Sequence, residues 1–139
     1  MDSKPRRVLL LGATGTIGRA TARALVARGH EVVCLLRRRS RTGVSADELA
    51  RQFPGAALRF GDVTDPESLA RDGFRGEAFD AVVSCMASRT GVPRDAWAID
   101  HQAHLHALAA AKAAGVTQFV LLSAICVQKP QLAFQQAKL

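Results

Sequence analysis

The chain has no tyrosine, one tryptophan and only 5% aromatic residues. Without tyrosine no phenol can serve as a proton donor, and the ring platforms on which single-stranded nucleic acid stacks are scarce. Its three cysteines, Cys34, Cys85 and Cys126, are odd in number and far apart. Each lies in or beside an apolar run, which suits reduced packing thiols and argues against a disulfide framework. No apolar stretch approaches the roughly 18 residues that span a bilayer, so any membrane association would be peripheral. The opening Met1-Asp2-Ser3-Lys4-Pro5-Arg6-Arg7 has neither a hydrophobic signal core nor a Ser-rich transit composition, and a cytoplasmic location is expected. There is no internal repeat, low-complexity tract or linker.

What is present suits one domain: 139 residues, 48% of them hydrophobic. Acidic residues are outnumbered, 12 against 19 Lys and Arg, for a net charge of +7. The densest basic cluster is Arg37-Arg38-Arg39 with Arg41. No aromatic residue interleaves with it, so a nucleic-acid partner is not expected. It reads either as an anion site for a phosphorylated small molecule or as a solvated loop.

Apolar, β-branched runs alternate with stretches of helical spacing, the pattern of βαβ units around a parallel sheet. Five strands are predicted, at Arg7 to Leu11, Glu31 to Leu36, Leu58 to Phe60, Ala78 to Ser84 and Gln118 to Ser123. Helices are predicted to begin near Gly15, Ser45, Asp65 and Pro93, with Gly29 and Gly115 ending the first and fourth. The fold class is α/β, a Rossmann-type doubly wound parallel sheet with helices on both faces. A complete fold of this kind carries about six strands, so the sheet is expected to be truncated after the fifth, leaving unpacked apolar surface.

The strongest motif is Gly12-Ala13-Thr14-Gly15-Thr16-Ile17-Gly18, a G-x-x-G-x-x-G turn between an apolar strand and an amphipathic helix. Gly12 permits the tight turn, Gly15 lets backbone approach a pyrophosphate, and Gly18 lets the helix lie close to the sheet. The free N–H groups of the helix start then face the phosphates. An NAD-binding unit usually ends its second strand in an acid that bonds the ribose 2′-hydroxyl. Here Arg37 stands in that place, and a guanidinium grips a 2′-phosphate in a bidentate fork. The cofactor expected is NADPH, bound by Gly12, Thr14, Gly15, Thr16, Ile17, Gly18 and Arg37.

At the third strand end, Asp62 either accepts from the adenine amino group, with Val63 beside it, or simply forms the turn. Asp65 is the expected helix cap. Ser84 and Ser123 should emerge on the carboxyl edge of the sheet, where open α/β folds bind ligands. Residues Ser84 to Thr90 are expected to line the coenzyme ribose and nicotinamide. His101 and His104 share a helical face while His106 points away, and no acidic or cysteine ligand stands at useful spacing. They read as helix-surface histidines with no metal, and Trp97 as a packing residue.

With these motifs in place, the chain resembles an atypical or extended short-chain dehydrogenase/reductase. The segments Phe60 to Asp65, Val83 to Gly91 and above all Leu121-Leu122-Ser123-Ala124-Ile125-Cys126-Val127-Gln128-Lys129-Pro130 resemble the divinyl chlorophyllide a 8-vinyl reductase family. That resemblance covers essentially the whole chain and implies NADPH-dependent reduction of the 8-vinyl group of divinyl chlorophyllide a, or its protochlorophyllide precursor, to ethyl. It also implies a tetrapyrrole partner, and a further C-terminal substrate-binding region absent from residues 1–139. Where the wider reductase pattern has Tyr-x-x-x-Lys, this chain reads Phe134-Gln135-Gln136-Ala137-Lys138. The resemblance therefore points to Lys138 as the residue that anchors the nicotinamide ribose and assists proton delivery. Ser123 occupies the place of the reductase serine, or else caps the backbone. Phe134, four residues before Lys138 on one helical face, packs against flat substrate or coenzyme, or fills core.

Overall fold

The computed structural model describes residues 5–36, 46–86 and 96–122. Arg37 to Arg41, residues 87–95, Ser123, Cys126, Phe134 and Lys138 lie outside the described residues. Five strands, β1 (Arg7–Leu11), β2 (Glu31–Leu36), β3 (Ala57–Phe60), β4 (Ala81–Ser84) and β5 (Gln118–Leu121), form one sheet in the order β3-β2-β1-β4-β5. All four pairings are parallel, with Leu11 opposite Leu35 on one side and Ser84 on the other. The helices are α1 (Thr16–Ala27), α2 (Ala46–Gln52), α3 (Pro66–Ser68) and α4 (His104–Ala113). α3 widens into a π-type helix over Leu69–Phe74, and α4 is entered through a second one over Ala96–Ala103.

The alternation of strand side chains assigns the two faces. Leu9, Leu11, Val33, Leu35 and Val82 meet Leu69, Phe74, Ala103, Ala107 and Ala111 of the π-type segments and α4. Leu10, Val32, Cys34 and Leu36 meet Ala22, Leu25, Val26 and Phe53 on the α1 side. The central strand is apolar throughout because both its faces are covered. Leu9, Leu10 and Leu11 are 0% exposed, and each such side chain contributes about 1.5–3 kcal/mol by burial. Burial also raises the Cys34 thiol to about 11, so this cysteine stays protonated and acts as packing.

Most predicted bounds hold, and the exceptions have local causes. β4 starts at Ala81 rather than Ala78, because the preceding residues serve β1 instead of pairing. The Arg7 N–H donates to Asp80 Oδ2 (2.7 Å) and its guanidinium to the Ala78 carbonyl (3.1 Å), while Phe79 turns into the core, edge-on to Phe74. α1 and α4 close at Gly29 (φ 84°) and Gly115 (φ 77°), as predicted from their positions. Among the described residues Val120, Leu121 and Leu122 are exposed at the β5 edge of the sheet. Among the described residues no helix is long and apolar enough to cross a membrane.

Around Phe79 runs an ionic cluster with no counterpart in the motif reading. Glu77 accepts from Arg7 (2.9 Å) and is also paired with Arg59, and both guanidiniums lie near the Phe79 ring, at 4.5 and 5.7 Å from its centroid. The hydrogen bond from Arg7, with that from Arg59, holds the Glu77 carboxyl below the ordinary carboxylate range. A depressed folded-state value adds stability above the unfolded-state value and loses it as pH falls through the folded one. The melting-temperature gap between wild type and Glu77→Gln is therefore expected to be full at neutral pH and to close in acid below the carboxylate range. A gap independent of pH would contradict the ionic role.

Candidate coenzyme site

The chain runs outward from β1 to β3, returns, and builds β4 and β5 on the other side, so the connections diverge between β1 and β4. Such a switch point opens a crevice at the carboxyl edge of the sheet. Gly12, directly after β1, takes φ +73° and lies so close to the next strand end that a Cβ there would sit 2.6 Å from Cys85 C and Met86 N. At Gly18 a Cβ would sit 2.1 Å from the Gly12 carbonyl oxygen and 2.8 Å from Ala13 Cα. These two glycines are required by the chain itself. At Gly15 nothing but the Gly12 oxygen, 4.0 Å away, is near, and the open side of this residue faces out of the turn.

Gly15 is the N-cap of α1, with no side-chain cap and no acid in the first turn. The first helical hydrogen bond runs from Arg19 N to Gly15 O, 2.9 Å, so the N–H groups of Thr16, Ile17 and Gly18 precede it. A helix start with uncapped donors and no competing carboxylate suits a phosphate. Thr14 is half-buried and Gly15, Thr16 and Ile17 are exposed, Ile17 by 56%. This leaves an apolar side chain beside the uncapped donors. The donor set and the open Gly15 thus fit a dinucleotide.

The third strand end is braced rather than open. Asp62 Oδ1 accepts from Thr64 N (2.9 Å) and Thr64 Oγ1 (2.6 Å), and the Asp62 N–H donates to Ser68 Oγ (2.8 Å). Ser68 in turn donates to Asp72 Oδ2 at 2.7 Å. Of the two roles considered for Asp62, the turn-forming one is visible. Its side chain remains exposed, and Val63 packs against the core on the α4 side. Asp65 caps α3 as expected, accepting from Glu67 N at 3.0 Å.

Ser84 stands at the predicted edge, but its hydroxyl does not emerge toward a ligand. The residue is 0% exposed, and Oγ lies 2.6 Å from His104 Nε2 and accepts from Met86 N at 3.3 Å. This also corrects the reading of His104 as a surface histidine, for it is only 8% exposed. The spacing of His104, Ala107 and Ala111 on one helical stripe carried that signal, since all three are buried. Trp97 is 44% exposed and edge-on to His101, with ring centroids 5.1 Å apart.

The profile of a family described as NAD(P)H-binding matches residues 12–138. The chain belongs to the NAD(P)H-binding family. A nicotinamide coenzyme is accordingly the ligand of this family. This NAD(P)H-binding chain is 48% identical over 134 residues to the divinyl chlorophyllide a 8-vinyl-reductase, chloroplastic, of Oryza sativa subsp. indica, covering 95% of the chain and 33% of the relative. The family likeness read from the sequence is borne out at this level, and the chain spans about a third of the length of that relative. It is 31% identical over 117 residues to the photosystem II assembly factor Ycf39 of Synechocystis, covering 84% of the chain and 33% of that protein. Among solved structures, the Bordetella bronchiseptica enzyme WbmG in complex with NAD and UDP superposes with a TM-score of 0.77 at 20% identity, over 97% of this chain and 47% of that one. At that identity the match speaks for the fold.

Proposed function

We infer that the chain is the coenzyme-binding part of an NADPH-dependent reductase that converts the 8-vinyl group of a divinyl chlorophyllide to ethyl. The observation that carries this reading is the 48% identity to a protein of that name across nearly the whole chain, joined to a glycine turn whose open residue and uncapped donors suit a dinucleotide. The bound coenzyme would supply the hydride. Within the chain, the first turn of α1 holds the pyrophosphate, Arg37 selects the 2′-phosphate, Lys138 holds the nicotinamide ribose and assists proton delivery, and Ser123 takes the place of the reductase serine. Asp62 and Val63 border the adenine end, and Ser84 acts through the turn that follows it. The whole chain, 1–139, is read as one coenzyme domain, with the tetrapyrrole held by sequence beyond it. The reduction needs no tyrosine acid if charge left on the conjugated macrocycle is quenched by water or lysine, which agrees with a chain that has none.

A cytoplasmic location, with at most peripheral membrane contact, belongs to the same proposal. The relatives named chloroplastic make organelle fractionation the relevant check wherever a plastid exists.

A second reading, a non-catalytic NADP(H)-binding regulator, is favoured by the missing tyrosine and by the likeness to an assembly factor. A third, an NADP-dependent short-chain reductase or epimerase acting on another small molecule, shares the same coenzyme half. Conversion of divinyl to monovinyl chlorophyllide by a full-length protein carrying this segment separates the first reading from the others. For the coenzyme, fluorescence titration of the chain is expected to give tighter binding of NADPH than NADH, and Arg37→Ala to weaken NADPH by about tenfold, the loss of one charge-assisted contact. Equal affinities that Arg37→Ala leaves alone would refute the 2′-phosphate reading.

A further inference from the structure

The buried Ser84–His104 pair lies at the carboxyl end of β4, beside the glycine turn that follows β1. Ser84 is the last residue of β4 and Gly12 the first after β1, and the two strands are in register there, Leu11 opposite Ser84. The peptide that follows Ser84 is the surface on which Gly12 rests, since a Cβ on Gly12 would come within 2.6 Å of both Cys85 C and Met86 N. Wherever this peptide moves, the glycine turn must follow.

Bonds on both sides hold this peptide. Cys85 N donates to the Leu11 carbonyl at 2.9 Å, and the Ser84 carbonyl accepts from Leu122 N at 2.9 Å. On the far side Met86 N donates to Ser84 Oγ at 3.3 Å, so that contact depends on the orientation of a hydroxyl. The hydroxyl is oriented by His104 Nε2, 2.6 Å away. Whichever of the two carries the shared proton, the imidazole remains its partner. His104 is itself held rigidly, on a helix whose Ala103, Ala107 and Ala111 pack against Leu9, Leu11 and Val82.

We propose that His104 is a positioning residue for coenzyme binding: through Ser84 Oγ it sets the Cys85–Met86 peptide on which the Gly12–Gly15 turn rests. This rests on the reading of that turn as the nicotinamide-coenzyme site. Displacement of a binding group by a fraction of an ångström costs affinity even where the fold survives, so the effect should appear in the coenzyme dissociation constant rather than in stability alone.

The test is a titration of the chain with NADPH, followed by nicotinamide fluorescence, alongside melting curves. Both His104→Ala and Ser84→Ala are expected to raise the NADPH Kd about five- to tenfold, the size of one lost hydrogen bond. The double variant should be no weaker than the worse single one, because the two act in series. His104→Gln, whose amide reaches to about where Nε2 lies, should bind within about twofold of wild type. Phe79→Leu, on the amino-terminal side of the sheet, serves as the stability control and should lower the melting temperature without changing Kd. If His104→Ala does not fold, Ser84→Ala and His104→Gln carry the same comparison. Unchanged Kd in Ser84→Ala and His104→Ala would overturn the inference while leaving the coenzyme reading intact. Equal weakening by glutamine and alanine would also overturn it, by assigning the effect to packing. Absence of NADPH binding by the wild type would remove both.

Discussion

Alanine at Gly18 is expected to destabilise the chain by about 3 kcal/mol or more, lowering its melting temperature by about 10 °C, while alanine at Gly15 leaves the fold almost untouched and weakens NADPH at least tenfold. The contrast follows from what each added methyl meets. At position 18 it would lie 2.1 Å from the Gly12 carbonyl oxygen and under 3 Å from two backbone atoms of Ala13. No rotamer change relieves a backbone clash, so α1 must lift off the turn and Ala22, buried on the same helix, must follow. At position 15 the nearest atom is 4.0 Å away, and φ −73°, ψ 168° is open to alanine.

Two small effects on stability then oppose each other at Gly15. Alanine is a poorer N-cap than glycine, by about 0.5 kcal/mol or more, and it restricts the unfolded chain, which returns about 0.4–1 kcal/mol. The melting temperature should therefore stay within about 3 °C of wild type. Only a ligand lying against Gly15 gives that methyl anything to collide with. Thermal melts and NADPH titrations of the two variants are the measurement. An unchanged Kd in Gly15→Ala would mean that the coenzyme does not cross this residue, and a wild-type melt in Gly18→Ala would contradict the close seating of α1.

How much of this could be read beforehand divides along a physical line. Apolar, β-branched runs and glycine placement are local, and they located β1, β2 and both helix-ending glycines. The turn given to Gly12, with its φ of +73°, and the close seating given to Gly18 are local as well, because they depend on a turn of seven residues. What escaped was contact between residues distant in the chain. Ser84 looked like an edge hydroxyl because its side-chain partner, His104, lies twenty residues on. For Asp62 the turn-forming role is visible in its bonds with Ser68 and Thr64, and the adenine role remains part of the proposal. Arg59 was hidden in another way. In the run Ala57–Phe60 a single charge reads as the solvent side of a strand, and only tertiary packing turns it inward.

The inward turn of Arg59 carries the second large expectation, that Arg59→Ala destabilises the chain by about 2–4 kcal/mol without altering NADPH affinity. The residue is 7% exposed, and its guanidinium donates to the Gly73 carbonyl at 2.6 Å and pairs with Glu77. Truncation leaves a cavity beside Phe79, a carbonyl without this donor, and Glu77 with Arg7 as its remaining cation at 2.9 Å. Arg59 stands in register with Leu35 and, through it, with Leu11, but β2 lies between it and the glycine turn, and its guanidinium reaches toward Glu77 and Phe79 before β4, so the coenzyme turn is expected to stay in place. Arg59→Met separates the contributions, since it refills the volume and demands no partner. If packing dominates, methionine should recover most of the loss. If the ion pair and the Gly73 bond dominate, it should recover little, and a double-mutant cycle with Glu77→Gln should show coupling. Arg59 also sits on β3, an edge strand, where a charge turned inward discourages pairing with another chain. Methionine could then restore the melting temperature and still increase aggregation. Denaturation midpoints with light scattering on the same samples would reveal that combination, and a full-strength Arg59→Ala chain would contradict the structural role of the cluster.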